Sequence, residues 1–223
     1  MKIFLSGGGS GIKSLELDKR FANALDKAKP LLYIPIAIDK VRHPYPDCLK
    51  WIKNTFNPLG VRRIELWTEE DLRKKPESEL NKFSGIYIGG GNTFYLLDEI
   101  KKSGFFNKLK AKAVSGMPVY GGSAGAIILG KTILTSSDKN SVKTKDFYGL
   151  DLVKGYSIFC HYDKPEEAEW VKDTSKKLKI GKAIALPENS GLFVSENGIE
   201  VVGPGSAYLP NENRTIGPKG VFQ

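Results

Sequence analysis

Short apolar runs alternate with amphipathic stretches in the first half of this sequence, and this rhythm constrains the fold more than any other feature. The apolar runs are bounded by Gly, Pro or Ser, which predicts strands at residues 2–6, 31–36, 61–66, 85–88 and 118–120. The amphipathic stretches predict helices at residues 14–27, 45–57, 69–80 and 93–115, with a break near Ser103 and Gly104. The β-α-β-α order predicts an α/β fold with a doubly wound, mostly parallel sheet flanked by helices.

The second half of the sequence is richer in strands. Apolar runs predict strands at residues 131–135, 157–160, 182–186, 191–195 and 199–202, and one helix is predicted at residues 165–178. Asn197 and Gly198 tolerate the positive φ of a tight turn, which predicts a C-terminal β-hairpin. Residues 211–223 are expected to form a loose terminus or a short edge element. With no repeat or long linker, residues 1–223 are predicted to form a single domain.

Composition narrows the classes of function. The formal charge of +9 comes from Lys and Arg spread along the chain, so we expect a solvated basic surface and no nucleic-acid partner. The first residues contain too short an apolar run for a signal peptide or a membrane helix, so we expect a cytoplasmic protein without a membrane partner. Cys48 and Cys160 lie far apart in the sequence, so neither a disulfide nor a zinc site is expected.

The strand at residues 118–120 leads into a G-x-S-x-G motif with Ser123 at its centre, and an apolar helix follows. In a nucleophile elbow of this form, small residues let the backbone bend sharply, so that the serine hydroxyl projects above the sheet. The N–H of Ala124, at the start of the helix, would then face a developing oxyanion. The motif predicts that Ser123 is a nucleophile. The alternative is a glycine-rich turn in which Ser123 only caps the helix.

Two further glycine clusters follow predicted strands. The N–H groups of Gly90 and Gly91 are candidates to complete an oxyanion hole. Asn92 and Thr93 come next and are predicted either to hold polar groups of a substrate or to cap the following helix. The cluster at residues 6–11 has neither the dinucleotide-binding nor the P-loop spacing, so we expect it to form a loop at the mouth of the same cleft.

A serine nucleophile needs a base, and the sequence has two histidines. His43 lies in a proline-rich segment typical of a surface turn. His161 directly follows the predicted strand at residues 157–160 and so lies where sheets of this type assemble their sites, which predicts that it is the base. The residues leave two candidates for the acid that orients this imidazole. Asp138 lies in a polar loop after a strand, and Asp163 must curl back to reach Nδ1.

The glycine cluster before Asn92, the motif around Ser123 and the strand that ends in His161 together resemble the peptidase E (aspartyl dipeptidase) family of serine peptidases. The resemblance covers nearly the whole chain and implies the class I glutamine amidotransferase-like fold. It also implies a Ser-His-Asp/Glu triad. In dipeptidase E the carboxylate falls fifteen residues after the serine, and this spacing implies Asp138 here. The oxyanion donors that it implies are the N–H groups of Gly91 and Ala124.

The expected function is hydrolysis of short peptides by a dipeptidase E-like serine peptidase through an acyl-enzyme, without a metal or an organic cofactor. We expect a small peptide as substrate and a monomer or homodimer. The arginine with which dipeptidase E reads an aspartyl side chain has no counterpart in residues 166–171, which leaves the specificity open. Two alternatives remain: an amidase or esterase with the same triad, and a non-catalytic protein that binds a small ligand on this fold.

Overall fold

The computed structural model describes residues 1–164 and 166–223. Within these ranges the strands are β1 (Ile3–Ser6), β2 (Leu31–Ile34), β3 (Ile64–Leu66), β4 (Gly85–Ile88), β5 (Val119–Gly122), β6 (Ser157–Phe159), β7 (Ala183–Ala185), β8 (Gly191–Ser195), β9 (Gly198–Val202), β10 (Ala207–Leu209), β11 (Arg214–Ile216) and β12 (Val221–Phe222). The α-helices are α1 (Leu15–Ala24), α2 (Tyr45–Phe56), α3 (Glu69–Lys74), α4 (Thr93–Lys102), α5 (Phe105–Val114), α6 (Ala124–Leu129) and α7 (Glu167–Lys177). Short 3-10 helices lie at Gly11–Lys13, Asn57–Leu59 and Glu77–Lys82.

An eight-stranded sheet in the order β12-β9-β8-β1-β5-β4-β2-β3 forms the centre of the molecule. Five neighbouring strands pair in parallel, in the order β1, β5, β4, β2 and β3. Strands β8, β9 and β12 extend the sheet beyond β1 in antiparallel pairings. Every residue of β1, β2, β4 and β5 is buried, because helices cover the sheet on both faces. The predicted α/β class and the mostly parallel, doubly wound sheet are therefore confirmed.

Parallel strands bring their carboxyl ends to one edge of the sheet. The turns after β1, β4 and β5 leave from this edge, and all three are rich in glycine. A second sheet, in the order β11-β10-β7-β6, contains the parallel pair β6 and β7. These turns and the carboxyl ends of β6 and β7 supply the candidate site described below.

Most of the local predictions are confirmed. The hairpin of β8 and β9 turns between Ser195 and Gly198, and the predicted break in the fourth helix falls at Gly104, which has φ +72° and separates α4 from α5. The tail contributes β11 and β12, the latter at the edge of the large sheet, as the edge-element alternative predicted.

Two sequence predictions need correction or qualification. The strand predicted at residues 131–135 is wrong: this segment makes one bridge, between Thr132 and Tyr148, and then turns through a bond from the N–H of Ser136 to the carbonyl of Ile133. The helix predicted at residues 165–178 is present as α7, but its predicted first residue, Pro165, lies outside the described residues. Within the described part of the chain, none of the helices is long and apolar enough to cross a membrane.

Candidate active site

Ser123 occupies the sharp turn between β5 and α6. Its backbone has φ 47° and ψ −108°, a left-handed conformation that L-residues other than glycine rarely adopt. The N–H of Ser123 donates to the carbonyl of Ser6 at 3.3 Å, and its own carbonyl accepts from the N–H of Ile127 at 3.0 Å. These contacts to β1 and α6 hold the turn in a conformation that costs about 1–3 kcal/mol. Strain of this kind is what the elbow motif predicts.

The two outer glycines of the motif are needed because backbones approach closely on both sides of the turn. A Cβ on Gly121 would lie 2.5 Å from the carbonyl of Gly125, and a Cβ on Gly125 would lie 2.4 Å from the carbonyl oxygen of Ile88. No other residue fits either position without moving the backbone. The helix that starts at Ala124 is therefore pressed directly against the sheet.

His161 follows β6 and faces Ser123. Its Nε2 lies 2.8 Å from Oγ of Ser123, a hydrogen-bond distance, and its backbone is held at φ 59° by a bond from its N–H to the carbonyl of Gly7. Gly8 packs against the edge of the imidazole, since a Cβ there would lie 2.2 Å from Cε1. The ring is about half exposed, so solvent and substrate can both reach it.

Glu188, which the sequence analysis did not single out, is the carboxylate in contact with His161. Its Oε1 lies 3.0 Å from Nδ1 of the imidazole. The cause is the parallel pairing of β6 with β7, in which Phe159 is opposite Ala185. His161 lies two residues after the end of β6, and Glu188 lies three residues after the end of β7. Both residues therefore lie at the same edge of the small sheet. Both strands were predicted, but the sequence carries no sign that they are neighbours.

Asp138, the carboxylate implied by the family resemblance, is placed elsewhere, and this expectation is corrected. Its Oδ2 accepts hydrogen bonds from the N–H of Thr93 at 2.8 Å, from the hydroxyl of Thr93 at 2.7 Å and from the hydroxyl of Ser136 at 2.9 Å. The loop that carries Asp138 thus returns to the start of α4, where a carboxylate satisfies orphan N–H groups and complements the helix dipole.

Asp163, the other candidate, supports Glu188 from behind. Its Oδ1 accepts a hydrogen bond from the backbone N–H of Glu188 at 2.9 Å, and its own N–H donates to Glu167. Asp163 therefore fixes the backbone of the loop that carries Glu188, and its side chain is not the one bound to the imidazole.

Lys13 completes a row of polar groups that begins at Ser123. Its Nζ lies 2.6 Å from Oε2 of Glu188, the oxygen that does not face the imidazole. The hydrogen bond from Lys13, together with the bond from His161, lowers the pKa of Glu188. The carboxylate is therefore charged near neutral pH, and both of its oxygens have partners.

The predicted oxyanion donors lie around Ser123. A Cβ on Gly90 would lie 3.3 Å from Cβ of Ser123, so this loop touches the elbow. Gly91 has φ 132° and packs on the carbonyl of Ala37, and its N–H makes no hydrogen bond to any described residue. Ala124 is the first residue of α6, where an N–H has no acceptor in its own helix. Both N–H groups are thus available to an oxyanion.

Asn92 caps α4, and Thr93 is the first residue of this helix. Oδ1 of Asn92 accepts from the N–H of Tyr95 at 2.9 Å, and its Nδ2 donates to the carbonyl of Lys139 at 2.9 Å. Thr93 is fully buried and bound to Asp138. The sequence left open whether these two side chains hold a substrate or stabilise the start of the helix. In the structure their polar atoms form hydrogen bonds within the protein and hold the loop of Gly91.

Two cavities border Ser123. One, of about 320 Å³, lies between the turn of Ser123 and the face of α2. The other, of about 420 Å³, lies beside His161 and reaches Trp170 on α7. Among the described residues, no group of three or more His, Cys, Asp and Glu side chains is arranged to hold a metal ion.

Cys160 precedes His161 and lines the cavity beside it, but its thiol is bound to backbone carbonyls. Its Sγ lies 3.6 Å from the carbonyl oxygen of Ser123 and 3.7 Å from that of Ser6. Burial raises the pKa of this thiol well above its usual value, so it stays protonated and is a poor nucleophile.

Comparison with known proteins relates the sequence to a family of peptidases. The sequence profile of peptidase family S51 matches residues 3–202. The chain is 30% identical over 142 residues to peptidase E of Shewanella sp. (strain W3-18-1), a match that covers 60% of each chain. It is 25% identical over 202 residues to peptidase E of Shewanella denitrificans, which covers 84% of this chain and 83% of the relative.

Two solved structures share the fold. A peptidase from an acI-B1 Actinobacterium superposes with a TM-score of 0.76 over 100% of this chain and 96% of its own, at 19% identity. A protein from Listeria monocytogenes EGD-e superposes with a TM-score of 0.68 over 92% of this chain and 98% of its own, at 21% identity. At these identities the likeness concerns the fold alone.

Proposed function

Since this chain belongs to peptidase family S51, we propose that it is a serine peptidase that hydrolyses short peptides through an acyl-enzyme. The observation that carries the proposal is the unbroken row of hydrogen-bond contacts from Ser123 through His161 to Glu188, at 2.8 and 3.0 Å. Nucleophile, base and orienting acid at these distances are the requirements of acyl transfer. In this proposal the triad is Ser-His-Glu.

The first half-reaction forms the acyl-enzyme. Oγ of Ser123 attacks the carbonyl carbon of the scissile amide while Nε2 of His161 takes the hydroxyl proton. Glu188 stabilises the imidazolium that results and holds Nδ1–H in place. The negative charge on the carbonyl oxygen is stabilised by the N–H groups of Gly91 and Ala124. One such donor is worth about 3 kcal/mol in comparable sites. The tetrahedral intermediate then collapses, the C–N bond breaks, and His161 gives its proton to the leaving amine.

The second half-reaction releases the acid product. Water attacks the acyl ester while His161 takes a proton from it, and the ester bond to Ser123 then breaks as the proton returns to Oγ. The positions of the imidazole and of the oxyanion donors serve both halves without rearrangement. Lys13 stays on the outer oxygen of Glu188 throughout.

The proposal is tested with a small fluorophosphonate, which phosphonylates a serine hydroxyl only when a base activates it. We expect labelling at Ser123 by mass spectrometry, and loss of that labelling in Ser123→Ala and His161→Ala. Ser115→Ala, at an exposed position remote from the site, is the matched control and is expected to label like the wild type. Absence of labelling in the wild-type protein would favour a non-catalytic binding protein on the same fold.

A second measurement separates peptidase from esterase activity. Dipeptides and the corresponding amino-acid methyl esters are incubated with wild-type protein and with Ser123→Ala, and products are followed by mass spectrometry. Cleavage of the dipeptides that depends on Ser123 supports the proposal. Cleavage of the esters alone would replace it with an esterase using the same triad.

A further inference from the structure

The cavity of about 320 Å³ has an aromatic wall that the reaction does not require. Tyr33 of β2, Tyr87 of β4 and Trp51 of α2 form this wall, and we refer to the cavity as the aromatic cleft. Ring centroids are 5.6 Å apart for Tyr33 and Tyr87, 6.1 Å for Trp51 and Tyr87, and 6.3 Å for Tyr33 and Trp51. Ser123 lines the same cleft, so its wall lies next to the nucleophile.

The cleft is built on a rigid base with an open rim. Tyr33 and Tyr87 are 3% and 6% exposed and belong to the packed core under α2, whereas Trp51 is 38% exposed at the rim. Cys48 and Trp51 lie three positions apart on α2 and so present one face of that helix to the cleft. An exposed tryptophan beside a pre-formed apolar cavity is a typical feature of ligand sites.

The charges around the site disfavour an acidic substrate side chain. Among the described residues, neither the aromatic cleft nor the cavity beside His161 is lined by any Lys or Arg, although the chain has 34 of them. The first is lined instead by Asp47 and the second by Asp138. A third cavity, of about 390 Å³ and also lined by His161, is lined by Glu167. A substrate carboxylate would meet a carboxylate, and neither a Lys nor an Arg side chain, in each of them.

We propose that the aromatic cleft is the specificity subsite of this enzyme and that it takes an aromatic or large aliphatic side chain of a residue that flanks the scissile bond. The proposal rests on the proposed function, because it concerns the substrate of the same serine. Binding of such a side chain removes its apolar surface from water against Trp51, Tyr33 and Tyr87. Peptides that carry Asp at either flanking position are poor substrates.

The test compares Phe-Ala, Ala-Phe, Ala-Ala, Asp-Ala and Ala-Asp as substrates. We expect one of the two Phe dipeptides to exceed Ala-Ala in kcat/KM by about 10- to 100-fold, the ratio that follows from burying a Phe side chain. Which of the two is better identifies the side of the bond that the cleft holds. Both Asp dipeptides are expected to fall below Ala-Ala.

Trp51→Ala removes the rim of the cleft and is expected to reduce the ratio of the preferred Phe dipeptide to Ala-Ala at least threefold, in line with the loss of part of the buried apolar area. Tyr148→Ala removes an exposed aromatic ring away from the site and is expected to keep the wild-type ratio. A thermal melt by circular dichroism checks that both variants are folded.

Failure of this inference is distinguishable from failure of the proposed function. Labelling of Ser123 by a small fluorophosphonate, which does not need the cleft, together with equal rates on Phe-Ala, Ala-Phe and Ala-Ala overturns the subsite and leaves the peptidase. Faster cleavage of Asp-Ala than of both Phe dipeptides would likewise overturn the subsite and leave the peptidase. Absence of both labelling and cleavage overturns the proposed function and the subsite with it.

Discussion

Replacement of Glu188 by glutamine tests the role of the carboxylate that the tertiary structure brings to His161. The substitution keeps the size of the side chain and removes its charge. A glutamine at this position can still contact Nδ1, but it no longer stabilises the imidazolium that forms when Ser123 attacks. Its outer atom also loses the strong ion pair with Lys13. The loss of activity therefore reports the electrostatic contribution of the carboxylate.

The size of the effect follows from the distance and the exposure. At 3.0 Å between Nδ1 and Oε1, the attraction of unit charges is about 1.4 kcal/mol in bulk water and about 5.5 kcal/mol at an effective dielectric constant of about 20. His161 is 49% exposed and Glu188 is 28% exposed. Their attraction therefore lies between these limits, and we take it as about 3 kcal/mol. Each 1.36 kcal/mol is tenfold in rate, so kcat/KM is expected to fall about 10²-fold.

The assay is kcat/KM on the best dipeptide of the panel, together with the rate of fluorophosphonate labelling. Glu70→Gln is the control, because Glu70 also pairs with a lysine but lies on the exposed helix α3. Asp138→Asn tests the other candidate acid. It disturbs the hydrogen bonds to Thr93 without changing a contact of the imidazole. If Glu188→Gln stayed within threefold of wild type while Asp138→Asn slowed labelling a hundredfold, the Ser-His-Glu assignment would be refuted.

The same carboxylate predicts a pH dependence of stability. The pKa of Glu188 is lowered in the folded protein, first by the hydrogen bond from Lys13 and then by that from His161. A carboxyl group whose pKa is lower in the folded state stabilises the fold at every pH above its ordinary pKa of about 4.3. This contribution is lost as the pH falls through the lower pKa of the folded state. The difference in Tm between wild type and Glu188→Gln is therefore expected to be constant above about pH 5 and to shrink below it, as measured by thermal melts.

Two more variants probe the surroundings of the imidazole. Lys13→Met removes the cation from the outer oxygen of the triad carboxylate and is expected to lower kcat/KM roughly twofold to fivefold, whereas Lys74→Met, at an exposed ion pair on α3, should have no effect. Gly8→Ala places a Cβ 2.2 Å from Cε1 of His161 at φ 120°, so it is expected to displace the ring and abolish fluorophosphonate labelling; Gly181→Ala, which has open space around it, should label normally. Labelling of Gly8→Ala at the wild-type rate would show that the ring is not held as described.

Local sequence determined the framework of this protein. The alternation of apolar runs and amphipathic stretches predicted the sheet, because buried parallel strands need continuous apolar sequence and crossover helices need one apolar face. The elbow at Ser123 was equally readable, since a strand followed by G-x-S-x-G and an apolar helix is a local pattern; its glycines allow close backbone contacts within that unit and with the neighbouring strand β4. His161 was found because it ends a strand and so lies at the edge where sites form.

Only the tertiary structure decided which acid contacts His161 and what surrounds the nucleophile. Glu188 reaches Nδ1 of His161 because β6 and β7 pair in parallel. The sequence of a short strand does not determine which other strand it pairs with. The aromatic cleft likewise combines β2, β4 and α2, whose residues are far apart along the chain. Local patterns fix how each segment folds, but the contacts between segments depend on how the whole core packs. The contact between Glu188 and His161 and the aromatic cleft are of that kind.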